Sequence, residues 1–172
     1  KYTEAVSELE NVLRYDANNY PAHRMMALAC MFSGSDGRAG LSAQRVLEIR
    51  PDDSVGHFVL ARLYEQQDDK SEKALREYRL VLKCPADEFS ASYQVLTHYY
   101  LGVLLDNRQY YAAAIEQFEL FQSGVRRLGE RLSDNPQLSV LVEEQQSGTA
   151  LRVARACEYL GRYSTAINTL KK

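Results

Sequence analysis

Residues 101–121 read LGVLLDNRQYYAAAIEQFELF, and they decide the fold. Leu101, Gly102 and Leu105 set an aliphatic group, a small residue and a larger apolar group along one helical face. DNRQ at 106–109 has turn composition, after which Tyr111, Ala114, Ile115 and Phe118 resume the 3.6-residue spacing. The stretch is a helical hairpin with an apolar stripe on each arm. One such hairpin cannot bury its own stripes, so it needs neighbours that stack on it.

Moving outward, the second phrase recurs. KYTEAVSEL, GRAGLSAQRVLEIRP, SEKALREYRLVLKCP and RYSTAINTL align with it on Ala5, Ala39, Ala74, Ala114 and Ala166, at intervals of 34, 35, 40 and 52 residues. The first phrase precedes four of these by about twelve residues: MALAC at 26–30, LARLY at 60–64, LGVLL at 101–105 and VARAC at 153–157. The joining segments SGSDG (33–37), QQDDKS (66–71), DNRQ (106–109) and LGR (160–162) are turn-like, and no stretch alternates as a strand does. The chain is therefore expected to be all-α, built from helix–turn–helix units of about 34 residues.

This pattern resembles that of the tetratricopeptide repeat (TPR) family. The best match is Leu101, Gly102, Leu105, Tyr111, Ala114, Ile115 and Phe118. A second runs through Leu60, Ala61, Tyr64, Ala74, Leu75, Tyr78 and Pro85, and Ala39, Leu47 and Pro51 close a third. Gly40 departs from an aliphatic slot, and Phe121 fills a slot that is usually small. The resemblance implies a right-handed α-solenoid of antiparallel helix pairs forming a single array over residues 1–172. In that register 1–19 is the second helix of a truncated repeat, and 20–53 and 54–87 are repeats. Residues 88–135 form an extended repeat, and 136–172 a long first helix plus a truncated second helix.

The lengthened half is the irregular part. DEFSASYQ at 87–94 reads as added helix, and Val125, Leu128 and Leu132 prolong the following second helix. SDNP at 133–136 turns the chain, and a long helix then runs to about Leu160 unless SGT at 147–149 kinks or breaks it. These extensions fall on one edge of the stack. They either bury each other or form a partner-specific surface.

Composition excludes several classes. With 21 Lys+Arg, 23 Asp+Glu and a net charge of −2, the chain has no general basic excess for nucleic acid or anionic membrane. Its longest apolar run, MALACMF at 26–32, is too short to span a bilayer. Three widely spaced cysteines form neither a disulfide framework nor a zinc motif and fit a reducing, cytoplasmic setting. The first Met is Met25, so the sequence reads as a slice of a longer array or a processed product. Its two ends, both inside second helices, would then be able to stack end to end on other chains.

No chemistry-bearing motif appears. His23, His57 and His98 occupy one slot of successive repeats, which suits the helix seam rather than a shared metal; burial there could make them pH-sensitive. Cys30 and Cys157 share an apolar slot, while Cys84 precedes Pro85 without an obvious catalytic neighbour. Phosphate-binding loops, nucleophile elbows and paired-Cys patterns are absent from the sequence. No catalytic residue, metal or cofactor is therefore expected.

The resemblance implies binding of a peptide or protein segment in a concave groove lined by first helices. Its projected exposed positions are Arg24, Leu28, Met31 and Phe32, then Val55, Phe58, Arg62 and Glu65. The next helices add Leu96, Tyr99, Val103 and Asp106, then Leu151, Arg155, Glu158 and Tyr159. Apolar anchors mixed with Arg suit a segment carrying carboxylates. One subfamily grips a C-terminal carboxylate with Lys and Asn. Those slots hold Arg24 and Leu28, Phe58 and Arg62, or Tyr99 and Val103 here, so that clamp is absent.

The expected function is thus a non-enzymatic scaffold or adaptor for a protein partner. One alternative is an RNA-binding helical repeat of the related half-repeat type, using Arg126, Arg127 and Arg131. The other is a docking or regulatory segment of a larger enzyme.

Overall fold

A computed structural model describes residues 2–129 and 136–170, and among these every regular element is helical. The first-type helices are α2 (Tyr20–Phe32), α4 (Ser54–Glu65), α6 (Ala91–Asn107) and α8 (Pro136–Tyr159). The second-type helices are α1 (Tyr2–Tyr15), α3 (Asp36–Ile49), α5 (Ser71–Lys83), α7 (Tyr111–Leu128) and α9 (Tyr163–Leu170). A 3₁₀ turn, Asp68–Lys70, links α4 to α5.

The chain divides into two compact units, Lys1–Ser90 and Ala91–Lys172. In the first, consecutive helices α1 to α5 pack in sequence, and α4 also rests on α2. In the second, α6 packs on α7, α7 on α8 and α8 on α9, with α8 also resting on α6. In both units a first helix is therefore seated on both members of the pair before it.

Local chemistry sets the helix ends. Asn19 accepts from the Ala22 amide at 3.0 Å to cap α2, and Asp53 accepts from the Gly56 amide at 2.6 Å to cap α4. The α3 and α5 helices stop at Ile49 and Lys83, just ahead of Pro51 and Pro85. Three hairpin turns close identically. The amides of Ser35, Tyr110 and Arg162 reach back to the carbonyls of Cys30, Leu105 and Cys157 at 2.8–2.9 Å. The residue before each donor is left-handed: Gly34 (φ 75°), Gln109 (φ 65°) and Gly161 (φ 70°). Glycine takes that conformation freely, and Gln109 takes it with a Cβ in place.

Small residues hold the hairpins together. Ala27, Ala39, Ala61, Ala74 and Ala114 are fully buried. At Gly102 a Cβ would lie 2.8 Å from the Phe118 ring, so the α6–α7 contact requires a glycine. Phe121, unusual for its slot, is fully buried and sits 5.5 Å from the Tyr99 ring, filling space between the same two helices.

The lengthened helices all lie in the second unit, with 17, 18 and 24 residues in α6, α7 and α8. Their extensions meet in part: a Cβ on Gly124 of α7 would lie 2.7 Å from the Val95 side chain of α6. Three expectations change. Helix α6 starts only at Ala91, because Asp87 and Ser90 form a turn in which Asp87 accepts from the Ser90 amide (2.6 Å) and Ser90 Oγ from the Asp87 amide (2.9 Å). Helix α8 runs unbroken through 147–149, where Thr149 Oγ1 donates to the Gln145 carbonyl and satisfies its hydroxyl within the helix. Asp36 and Gly37 belong to α3 rather than to the turn. Leu132 and the turn through Ser133, Asp134 and Asn135 lie outside the described residues, and Pro136 opens α8.

Candidate partner-binding cleft on helices α8 and α9

The sixteen projected groove positions do not share one environment. Leu28, Val55, Phe58, Leu96, Tyr99 and Asp106 are buried. Arg24, Met31, Phe32, Arg62, Glu65 and Val103 are half-buried. Only Leu151, Arg155, Glu158 and Tyr159, all on α8, are exposed. The buried six are a correction to the sequence reading, because these helices are apolar around most of their circumference and neighbouring helices close over them. In α4 the whole run from Ser54 to Ala61 is buried.

The arginines among these positions also have acidic partners within the chain. Arg24 donates from Nη1 and Nη2 to Asp87 at 2.8 and 3.2 Å, and its Nε lies 3.1 Å from Asp53. Its guanidinium also lies 4.8 Å from the centre of the Phe89 ring. Burial works against the Asp87 charge, yet Arg24 and Ser90 outweigh it and hold that carboxyl down at about 2. Tyr20 donates to Asp53 at 2.5 Å, and burial together with this acidic partner pushes the phenol up to about 12. Arg62 pairs with Glu65, which also accepts the Tyr78 hydroxyl at 2.6 Å.

In the second unit Arg155 and Arg152 reach Asp106 Oδ2 at 2.5 and 3.2 Å. Asp106 is buried, and its Oδ1 has no hydrogen-bond partner in the structure. Two cations around one buried carboxylate tie α8 to α6 and keep the charge from standing alone.

Beside this pair lies a cleft of about 760 Å³. It is lined by Tyr99 of α6, by Gly148, Leu151, Arg152, Ala154, Arg155 and Glu158 of α8, and by Tyr163, Ala166, Ile167 and Leu170 of α9. Leu151, Tyr163, Ile167 and Leu170 are each more than half exposed, a concentration of large apolar groups that a folded surface rarely carries without use. Sequence reading reached Tyr99, Leu151, Arg155 and Glu158 and missed Arg152, Tyr163, Ile167 and Leu170. The signal for the α9 residues was present. Tyr163, Ile167 and Leu170 stand 52 residues after Tyr111, Ile115 and Phe118, in the same register as the aligned alanines.

The remaining candidates have structural partners. His23 and His57 each hold a carbonyl six residues back, of Ala17 at 2.9 Å and Pro51 at 3.0 Å. His57 also meets Glu77 at 2.7 Å, and His98 meets Gln117 at 2.9 Å. Burial opposes the charged form of His57, but Glu77 and the Pro51 carbonyl outweigh it and raise its pKa. Burial lowers that of His98. Cys30 and Cys157 are buried, and burial raises the Cys30 and Cys84 thiols, which keeps them protonated. Among the described residues no three His, Cys, Asp or Glu side chains are placed to hold a metal, and no helix is long and apolar enough to cross a membrane. Arg126 and Arg127 are exposed near the end of α7; Arg131 lies outside the described residues.

No family model matches the chain, and no curated protein matches it in sequence. Solved structures match its fold. A crystal structure of MamA superimposes with a TM-score of 0.67 over 99% of this chain and 85% of the other, at 17% identity. A crystal structure of MamA protein gives the same score and identity over 99% and 79%. At that identity the likeness carries the helical fold alone.

Proposed function

We propose that this chain is a TPR-type scaffold or adaptor without catalytic activity of its own, which holds a segment of a partner protein in the α8–α9 cleft. The carrying observation is the coincidence of a 760 Å³ cleft with Leu151, Tyr163, Ile167 and Leu170, all large, apolar and exposed. The buried Asp106 beside the cleft is met by two arginines, and the histidines bond carbonyls and neighbouring side chains.

The extended groove over all four first helices contracts, in this reading, to its last member. An apolar wall with charged groups at the rim is the usual make-up of a surface that anchors a protein segment. The test is affinity capture with the full chain, comparing wild type with a Leu151→Asp/Ile167→Asp variant. Recovery of specific partners is expected to fall at least tenfold. Equal recovery would take the binding surface away from the cleft.

A further inference from the structure

The outer face of α5 carries a row of cations that the repeat does not require. Ala74, Tyr78 and Val81, at i, i+4 and i+7, form the buried stripe of this helix, each 0% exposed. Arg76, Arg79 and Lys83, at i, i+3 and i+7, stand on the opposite side and are exposed. They extend over roughly 10 Å of the helix axis. The register set by Ala39, Ala74 and Ala114 puts Leu41, Gln44 and Glu48 at the same three places of α3. In α7 it puts Glu116, Glu119 and Ser123 there. Packing thus leaves the residue type at these places open, and α5 fills all three with positive charge.

These cations differ from the other arginines in having no acid beside them. Arg24, Arg38, Arg45, Arg62, Arg152 and Arg155 each meet a carboxylate of this chain. Among the described residues Arg76, Arg79 and Lys83 meet none. They stand around a depression of about 290 Å³ whose lining also includes Glu72, Leu75 and Leu80. Leu75 is buried and Leu80 half-buried, so apolar surface lies beside the charges.

Two features favour protein over nucleic acid as the occupant. The depression has no aromatic ring on which a base could stack, and the chain as a whole is at −2, which repels a long polyanion. A carboxylate, by contrast, matches the planar fork of each guanidinium and takes two hydrogen bonds from it.

We infer that the outer face of α5 is a docking surface for an acidic protein segment. Its carboxylates pair with Arg76, Arg79 and Lys83, and a large apolar side chain among them rests on Leu75 and Leu80. None of these residues lines the α8–α9 cleft, so the two surfaces stand or fall separately.

The probe is a fluorescent synthetic peptide of four Glu-Glu-Leu repeats, titrated with the full chain and followed by anisotropy. Saturable binding that weakens as salt rises is expected. Arg76→Glu/Arg79→Glu should weaken it at least tenfold and make the chain bind a peptide of four Lys-Lys-Leu repeats instead. Because both arginines are exposed, an unchanged melting temperature certifies folding, and the exchange of preferred peptide is a gain that unfolding cannot mimic. Leu151→Asp/Ile167→Asp should leave the acidic peptide bound as before. Absence of binding, or binding indifferent to the arginine substitutions, overturns the proposal. Equal binding by an all-Glu peptide reduces the surface to a diffuse field of charge and overturns it too. Tighter binding of single-stranded polyuridine, lost in the same variant, would make the face a nucleic-acid surface. Self-association abolished by Arg76→Glu/Arg79→Glu would put a second copy of the chain there. Either result overturns the acidic segment. Loss of the peptide on Leu151→Asp/Ile167→Asp would move its site to the cleft, overturning the α5 surface while leaving the scaffold reading standing.

Discussion

Gln109 is the residue at which local conformation and side-chain chemistry disagree. It holds φ 65° in a turn whose two counterparts use Gly34 and Gly161. A side chain in the left-handed region costs roughly 1–2 kcal/mol, of which glycine's greater freedom in the unfolded chain takes back part. Gln109→Gly is expected to stabilise the protein by about 0.5–1 kcal/mol, read by urea denaturation. A loss of stability would mean that the Gln109 side chain contributes more than its backbone costs. The histidines make a second case at this scale, because the same slot has been tuned in opposite directions. The raised pKa of His57 makes its contribution complete below about pH 6.5 and lost as pH rises through the raised value. The lowered pKa of His98 makes its contribution complete above about pH 6.5 and lost as pH falls through the lowered value. Stability differences between wild type and His57→Gln should therefore be largest in acid, and those for His98→Gln largest near pH 8. Parallel profiles for the two variants would contradict this assignment.

At the scale of elements, helix contacts depend on where the chain omits volume. Gly102 brings α6 against the Phe118 ring of α7, and a methyl group there would sit at 2.8 Å. Overpacking of this kind costs ~1–3 kcal/mol, against which alanine's better helix propensity returns about 1. Gly102→Ala is expected to destabilise by up to about 2 kcal/mol. Gly148→Ala, in the α8 interior where a Cβ meets nothing within 4 Å, should stabilise by about 0.5–1 kcal/mol. Thermal melts of the two variants should move in opposite directions. Helix existence and register were legible from Leu101, Gly102, Ala114 and Phe118, because the spacing of apolar and small residues is a property of each helix alone. Residues 87–90 misled for the same reason. Phe89 and Tyr93 have helical spacing, but the reciprocal Asp87–Ser90 bonds hold a turn, and such bonds depend on rotamers that periodicity does not encode.

Over the whole molecule, two compact units each supply their own core, and the lengthened helices all fall in the second. The cleft substitutions Leu151→Asp and Ile167→Asp are expected to shift global stability by less than about 0.5 kcal/mol while removing partner binding. Exposed side chains contribute little to the core, and their apolar area is available to an occupant. The sequence by itself determined an all-helical repeat, its register and the absence of a catalytic motif. These are written in short-range spacing and residue type. Only the tertiary structure decided which repeated positions face solvent. Tyr99 and Leu151 occupy the same slot, yet one is buried and the other bare, since burial belongs to the neighbours that pack on a side chain. The same holds for charge. Arg24 and Arg155 read as recognition groups until the fold brings Asp87 and Asp106 to them across 63 and 49 residues, intervals that local spacing cannot foresee.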